Sequence, residues 1–368
     1  MPITRLEIAG YRSVRQLHLE LGPVNVVVGP NGSGKTNLYR ALYLLAVSAE
    51  GRLARTLAEE GGTPSVMWAG PRDPKKPVRL KVAVDLDDLA YELQCGPIPE
   101  SDTAFRLDPE VKEEHLWAYS GGRRGVLMER KGRTAFLRDA DGTRVTFPTE
   151  LWSSESVLDQ LAEPHRFPRL MEVQRTLTAW RFYHHFRTDP DAPLRHPQVG
   201  VRTPVLAHDG RDLAAALQTI LEVGDDAGLA QGIDDAFPGT RLEVHADEGR
   251  FSLFLRMPGL SRPMAATELS DGTLRYLCLL AALLSPRPPP FLALNEPETS
   301  LHPELLKPLG RLIVNAAKYS QVWVTTHAEE LSRTISQQSG AEPVHLVKHD
   351  GATTVRKAGA RDDDEDPS

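Results

Sequence analysis

Residues 29–36 read Gly-Pro-Asn-Gly-Ser-Gly-Lys-Thr, after the apolar run Pro23 to Val28 and before Asn37-Leu38-Tyr39-Arg40-Ala41-Leu42, a stretch of helical character. This is the spelling of a phosphate-binding loop between a strand and a helix. Gly29, Gly32 and Gly34 let backbone N–H groups close around an anion, and the new helix offers the positive end of its dipole. Lys35 is expected to reach the β- and γ-phosphates of a nucleotide, and Thr36 to place its hydroxyl on Mg²⁺. Asn31, Ser33 and Asn37 complete the set of nucleotide-contacting candidates. A plain glycine turn is the other reading of the eight residues, but it requires neither the strand before nor the helix after.

Working outward, the N-terminal segments Ile3 to Ile8, Leu17 to Leu21 and Val24 to Val28 show period-2 alternation or short buried-strand character, and the helix after the loop runs to about Val47. Pro71 to Pro77 is a proline- and lysine-rich linker before the alternating run Val78 to Leu86, with which Tyr91 to Gln94 can pair. Short strands follow at Leu116 to Tyr119, Gly125 to Glu129, Thr134 to Arg138 and Arg144 to Phe147. Glycine turns at 121–122, 132 and 142 separate them, so an antiparallel meander is expected. Pro164 to Phe186 has helical spacing, and Asp189 to Pro204 is an irregular, proline-rich loop. A helix from about Asp212 to Val223 precedes a hairpin of Arg241 to Val244 with Phe251 to Met257. The acidic run Asp362 to Asp366 cannot bury apolar surface, and a disordered, solvated tail is expected at 359–368.

Composition bounds the class. With 368 residues, 40% hydrophobic and 25% charged, the chain is an ordinary globular protein, and its net charge of -7 argues against a uniformly basic nucleic-acid binder. The two cysteines, Cys95 and Cys278, have no metal-ligand spacing and read as reduced, buried hydrophobes. The longest apolar stretch, Leu277 to Leu284, falls far short of the ~20 residues that cross a bilayer. With no apolar signal region at the N-terminus, a cytoplasmic protein without a membrane segment is expected.

The second half of the site lies at the other end of the chain. Pro290 to Leu294 is a short apolar strand ending in Asn295-Glu296-Pro297-Glu298. In P-loop ATPases such a strand delivers an acid pair beside the γ-phosphate, the first residue helping to hold Mg²⁺ and the second polarising the attacking water. Asn295 and Glu296 stand in those places. Asn295 is an amide where an acid is usual, so metal affinity is expected to fall and hydrolysis to be slow. Leu269-Ser270-Asp271-Gly272-Thr273 opens the apolar helix Leu274 to Leu284. Here the residues resemble the ATP-binding-cassette ATPases, whose signature motif Leu-Ser-Gly-Gly-Gln also opens a helix; Ser270 and Gly272 match, Asp271 and Thr273 depart. A plain N-cap at Ser270 or Asp271 is the alternative. His327, ending the apolar strand Val322-Trp323-Val324, resembles the family's switch histidine, which contacts the γ-phosphate. Thr299 to Pro303 occupies the place of the loop that in the family crosses to the partner subunit, and His302 reads as a helix-start residue beside Pro303.

Well over half the chain separates Lys35 from Ser270, whereas transporter cassettes place the two motifs much closer. With Arg5-Leu6-Glu7-Ile8-Ala9-Gly10-Tyr11-Arg12-Ser13-Val14 at the start and Asn295 to Pro303 near the end, the chain resembles the RecF-like and SMC-like branch of predicted AAA-type ATPases, over roughly residues 1 to 48 and 265 to 335. That resemblance implies an α/β fold of the ABC-ATPase type, a mixed sheet with flanking helices plus an inserted β-rich and helical lobe. The expected division is 1–95 for the first half of the ATPase core, 96–240 for the inserted lobe and 241–358 for the second half of the core. It also implies Lys35, Glu296 and His327 as catalytic residues, Arg12 near the nucleotide or exposed on a strand end, and Ser270, Asp271 and Gly272 acting on the nucleotide of a second copy in an ATP-dependent homodimer. Gln94 and Gln160 are the candidates for the family's glutamine loop. No long heptads are present, so a compact RecF-like lobe is favoured over an SMC-type arm.

By analogy to RecF, DNA is the expected partner. Arg123, Arg124, Arg130, Lys131, Arg133, Arg138 and Arg144 in the meander, and Arg166, Arg169, Arg175, Arg181 and Arg187 beside Trp180, Phe182, Tyr183, His184 and His185, suit phosphate and base contacts. A solvated basic face is the other reading. Two further functions stay open: the motor subunit of a toxin or phage-defence pair with a separately encoded effector, and a nucleotide-gated binding protein with little hydrolysis.

Overall fold

The computed structural model describes residues 1–73, 75, 79–99, 103–147 and 150–356. The acidic tail expected at 359–368 lies outside them, as does Val78. The chain divides into two compact units: Met1–Leu21, Val27–Thr178 and Val344–Ser368 form the first, Gly22–Val26 and Ala179–Pro343 the second.

In the first unit the alternating segments pair into one antiparallel sheet of eight strands. The order is Val14–Glu20, Ile3–Tyr11, Leu80–Leu86, Leu89–Pro97, Pro109–Ser120, Arg123–Lys131, Thr134–Arg138 and Arg144–Thr146. Period 2 puts Leu6 and Ile8 of one strand, and Leu80, Val82, Val84 and Leu86 of its neighbour, into the core, while Ile3, across a register shift between Ile3 and Arg5, and Tyr11 are buried out of that period. The meander read from residues 116 to 147 is present, and residues 95 and 96 sit inside the strand Leu89–Pro97, in mid-sheet. The helix Lys35–Ser48 buries Leu38, Leu42, Leu45 and Val47 completely. At about 1.5–3 kcal/mol for each large apolar side chain, that face alone anchors the loop in front of it.

The C-terminal hairpin, Val344–His349 with Ala352–Val355, also belongs to the first unit. Val344 and His345 run parallel to Val27 and Val28, the last residues before the phosphate-binding loop.

The second unit holds a parallel set: Arg181–Tyr183 beside Phe291–Asn295, and Phe291–Asn295 beside Gln321–Thr326. The Val322 N–H donates to the Pro23 carbonyl at 2.8 Å, which lays the start of the strand Val24–Val28 next to Gln321–Thr326. An antiparallel group, Arg241–Asp247 and Arg250–Arg256 with Gln198–Val199 and Met264–Ala265, accompanies it. The helix Asp271–Leu283 has ten buried residues and packs with Leu213–Val223, Asp226–Ala236 and Leu306–Ala316.

Two local readings are corrected. The helix expected over 164–186 spans Pro168–Thr178 only, and Arg181–Tyr183 is a strand. Trp180 just before it and Phe182 within it both pack their rings on Phe291, with centroids 5.0 and 6.0 Å away, and pairing with Phe291–Asn295 outweighs local helical spacing. The helix Asp226–Ala236 was not anticipated, since Gly228 and Gly232 lower its propensity. Asp225 caps it by accepting from the Gly228 N–H at 2.8 Å, and Gly232 lets the Leu280 side chain approach, since a Cβ there meets Leu280 Cδ2 at 2.6 Å. Cys95 and Cys278 are free and buried, and among the described residues no helix is long and apolar enough to cross a membrane.

Candidate functional site

The phosphate-binding loop begins where the strand Val24–Val28 ends. The Ser33 N–H turns back to the Pro30 carbonyl at 3.1 Å, and Gly34 enters the helix at φ 105°, a conformation an L side chain resists. No side chain caps the first turn of that helix. Lys35 is only 4% exposed, yet its ammonium meets no carboxylate among the described residues. It donates instead to the carbonyls of Gly29 at 2.7 Å and Pro30 at 3.2 Å. The Ser33 hydroxyl is buried without a partner among the described residues. A buried cation, an uncapped helix start and a spare hydroxyl converge on one loop whose tip, Asn31 and Gly32, is exposed. Such a donor set fits a polyphosphate.

Asn37 and Ser13 tie this loop to the N-terminal strands: Asn37 Nδ2 donates to Ser13 Oγ at 2.8 Å. Arg12, one residue earlier, has φ 47° and is held by Glu60 at 2.7 Å, a carboxylate that also receives the Tyr11 hydroxyl at 2.8 Å and lies 3.2 Å from Arg40. Burial, and then the Glu60 charge, push the Tyr11 phenol far above its ordinary pKa, so it acts as a donor to Glu60. Glu60 was not anticipated, and no signal local to Arg12 announces it.

In the second unit, Asn295 and Thr325 face each other across the parallel strands, and the Thr325 hydroxyl donates to Asn295 Oδ1 at 2.8 Å. Asn295 is 5% exposed. Glu296 follows at φ 47°, a left-handed conformation that costs a non-glycine residue about 1–3 kcal/mol when imposed. Its N–H donates to the Thr325 carbonyl at 2.9 Å, while its half-buried carboxylate has no hydrogen bond or ion pair among the described residues. Glu298 is the opposite case. Its Oε1 accepts from the Thr326 hydroxyl at 2.6 Å, the His327 N–H at 2.9 Å and the Ala328 N–H at 3.3 Å, and stands 3.2 Å from His327 Nδ1. The buried carboxylate therefore fixes the turn that carries His327, whose ring is half exposed. The sequence offered Glu298 only as a letter in Asn-Glu-Pro-Glu.

The helix Asp271–Leu283 starts at Ser270, whose Oγ accepts from the Thr273 N–H at 3.1 Å, so Ser270 is an N-cap in addition to whatever else it does. Ser270 and Asp271 are exposed. Gly272 allows close approach, because a Cβ there meets the Ser300 carbonyl at 2.6 Å. Two arginines absent from the sequence reading hold the segment. Arg195 donates to the carbonyls of Ala266 at 3.0 Å and Leu269 at 2.8 Å and to Asp271 Oδ1 at 2.6 Å. Arg275, its pKa lowered by burial, donates to the Thr299 carbonyl at 3.1 Å. His302 accepts from the Glu304 N–H and starts a short helix beside Pro303, as expected.

Several candidates have other occupations. Gln160 bonds the Trp152 N–H and nearby carbonyls, and Gln94 bonds Arg79 and Glu92, so both serve local loops and strands. Arg130 is not a surface cation: it is fully buried against Glu114 and the carbonyls of Trp152, Glu155 and Gly132. Trp180, Phe182 and Tyr183 are buried core rather than a stacking platform. Lys131, Arg133, Arg144, Arg166, Arg169 and Arg187 are each ion-paired within the chain, and Arg124 lies over the Trp117 ring.

Against known proteins, a family model described as "AAA domain, putative AbiEii toxin, Type IV TA system" matches residues 24–333. Among curated proteins, the DNA replication and repair protein RecF of Acidothermus cellulolyticus is 51% identical over 55 residues, 15% of this chain and 15% of that one. RecF of Aliivibrio fischeri is 40% identical over 67 residues, 16% of this chain and 19% of that one. The match thus spans under a fifth of the length of these relatives. Among solved structures, an Smc head bound to the C-winged helix domain of ScpA superposes with a TM-score of 0.60 at 14% identity, covering 97% of this chain and 98% of that one. The Smc head domain with an extended coiled coil from Pyrococcus furiosus, bound to the C-terminal domain of ScpA, gives 0.53 at 15% identity and 96% coverage of both chains. The shared property at such identities is the fold.

Proposed function

Since the chain belongs to the AAA-domain family whose model matches residues 24–333, we propose that it binds and hydrolyses ATP and dimerises through the bound nucleotide. The observation that carries the reading is the phosphate-binding loop, with buried Lys35 held by two loop carbonyls and no side-chain cap on the helix behind it. In this reading Lys35 neutralises the β- and γ-phosphates, and Gly29, Asn31, Gly32, Ser33, Gly34 and Asn37 shape the pocket with Thr36. Arg12 serves the nucleotide from the strand end. Glu296, unpaired among the described residues and held in a strained backbone, is the general base for the attacking water. His327, steadied by Glu298, contacts the γ-phosphate. Ser270, Asp271 and Gly272 of one copy meet the nucleotide of the other.

No cluster of three His, Cys, Asp or Glu side chains suits a metal ion among the described residues. Thr36 and Asn295 are the residues that would hold Mg²⁺ beside the phosphates, and the ion would supply charge neutralisation of the transferred phosphoryl group. Because Asn295 brings no charge, turnover is slow. That same residue favours a second reading, a nucleotide-gated binding protein that scarcely hydrolyses ATP.

DNA is the partner class to test first, since the RecF name is the support it has; most of the basic residues offered for it are paired internally. Arg123 and Arg175 carry no ion pair among the described residues. A separately encoded effector, as the family's description suggests, is the competing partner.

One experiment separates these. Turnover and size-exclusion chromatography are measured on wild type, Lys35→Ala and Glu296→Gln with Mg²⁺ and ATP. Wild type should release phosphate slowly, Lys35→Ala should neither bind nor turn over, and Glu296→Gln should bind ATP, stop turnover at least a hundredfold and elute as a dimer. A persistent Glu296→Gln monomer defeats the dimer. Wild-type binding without turnover selects the nucleotide-gated reading. Duplex DNA added under these conditions should bind and weaken as salt rises; its failure to bind at low salt removes DNA.

A further inference from the structure

The C-terminal hairpin lies beyond the last residue matched by the family model, and no sequence motif marks it. Within the first unit it is in contact with the phosphate-binding loop. Thr353 is 1% exposed. Its hydroxyl donates to the Ser33 carbonyl at 2.8 Å and lies 2.7 Å from Ser13 Oγ, and its N–H donates to the Ser13 carbonyl at 2.7 Å.

Donor counting orders the chain of bonds. The Thr353 hydroxyl has one proton, which goes to the Ser33 carbonyl, an acceptor only. The Ser13 hydroxyl must then donate to Thr353 Oγ1 while accepting from Asn37 Nδ2. Protons thus run Asn37 to Ser13 to Thr353 to Ser33, joining the first turn of the helix to the loop through the hairpin, and such chains reinforce one another.

The geometry has a consequence for the anion site. The Ser33–Gly34 peptide is planar and trans, so a carbonyl held towards Thr353 turns the Gly34 N–H away from the hairpin. The hairpin also closes in on the glycines. A Cβ on Gly34 meets Thr353 Oγ1 at 2.2 Å, and one on Gly29 meets the Leu346 carbonyl at 2.5 Å. Both strands of the hairpin, Leu346 from one and Thr353 from the other, therefore back the loop.

We propose that this hairpin is a latch on the phosphate-binding loop, and that Thr353 is a positioning residue for the nucleotide, setting the Ser33–Gly34 peptide so that its N–H is presented to phosphate. The inference rests on the ATP-binding reading. The test is equilibrium titration of a fluorescent ATP analogue with Mg²⁺ into wild type, Thr353→Val and Thr353→Ser, with steady-state turnover and thermal unfolding of the nucleotide-free proteins. Thr353→Val should weaken binding about tenfold and raise KM with kcat nearly unchanged, while its melting temperature stays close to wild type. Thr353→Ser should restore binding, because it returns the hydroxyl. Ser13→Ala should weaken binding too, and the Ser13→Ala/Thr353→Val pair should lose less than the sum, as members of one network do. Wild-type affinity in Thr353→Val overturns the latch alone. A loss that Ser does not rescue, or that follows the melting temperature, also overturns it by reducing Thr353 to a packing residue. Wild type that does not bind the analogue overturns the ATP reading and the latch with it.

Discussion

At the residue scale, the two glutamates of Asn-Glu-Pro-Glu have opposite surroundings. Glu296 has a strained backbone and no partner for its carboxylate among the described residues, whereas Glu298 is 7% exposed and gathers three donors on Oε1. Strain and an unspent charge mark a residue kept for chemistry; an Oε1 wholly engaged by the turn marks one kept for geometry, even though Glu298 Oε2 is buried without a hydrogen bond among the described residues. Glu298→Ala leaves the partly buried N–H groups of His327 and Ala328 short of an acceptor, at up to about 1–3 kcal/mol for each group fully orphaned. The Ala328 N–H retains Thr326 Oγ1 at 3.0 Å, so the expected loss is about 2 kcal/mol in denaturant unfolding. Glu298→Gln should recover most of that stability but not turnover, since the amide does not carry the charge that faces His327. Equal turnover in wild type and Glu298→Gln would show that the charge does nothing for the histidine. Glu296 was legible because its motif is local. The role of Glu298 was not, since its donors lie about thirty positions along the chain.

Among the elements, the meander shows how far period 2 carries. The alternation places Met128 and Arg130 on the same, inward face of the strand Arg123–Lys131, and both are buried. Composition alone suggested a basic surface there, and Arg130 was misread with it. Register decided the matter: Arg130 stands opposite Glu114, which also accepts from the Tyr91 hydroxyl at 2.9 Å, the Ser156 hydroxyl at 2.6 Å and the Val157 N–H at 2.9 Å. Breaking a buried pair from one side strands a charge. Arg130→Met should therefore cost about 3–5 kcal/mol, and adding Glu114→Gln should return at least 1 kcal/mol of it, read by urea unfolding. Additive losses would mean that the two charges do not depend on each other. The strand Arg181–Tyr183 teaches the same lesson for helical spacing: Trp180 and Phe182 obey Phe291, a residue no local window contains.

Across the whole molecule, buried ionisable groups set the alkaline limit of the fold. Burial pushes the Cys95 thiol up to about 12 and moves Cys278, Tyr91, Tyr183 and Tyr276 the same way, while Tyr11 rises through burial and then Glu60. Each folded-state pKa exceeds its unfolded value, so the stabilisation is complete below about pH 8.5 for the thiols and about pH 10 for the phenols, and is lost as pH rises from there towards the folded values. The melting temperature should accordingly hold between pH 7 and 8 and fall steadily between pH 9 and 11, and both thiols should resist a soluble disulfide reagent until the chain unfolds. A flat profile to pH 11 would contradict the burial of these groups. The strand, the glycine loop and the helix after it, the acid-bearing strand and the apolar helix behind Ser270 were all determined by the sequence alone. Each is written in the period and backbone freedom of neighbouring residues. Only the tertiary structure decided that Thr353 backs the loop, that Glu60 holds Arg12, that Glu298 steadies His327 and that Arg130 is core. A buried hydrogen bond or charge must find its partner wherever the folded chain brings one, and that address is not encoded in the residues beside it.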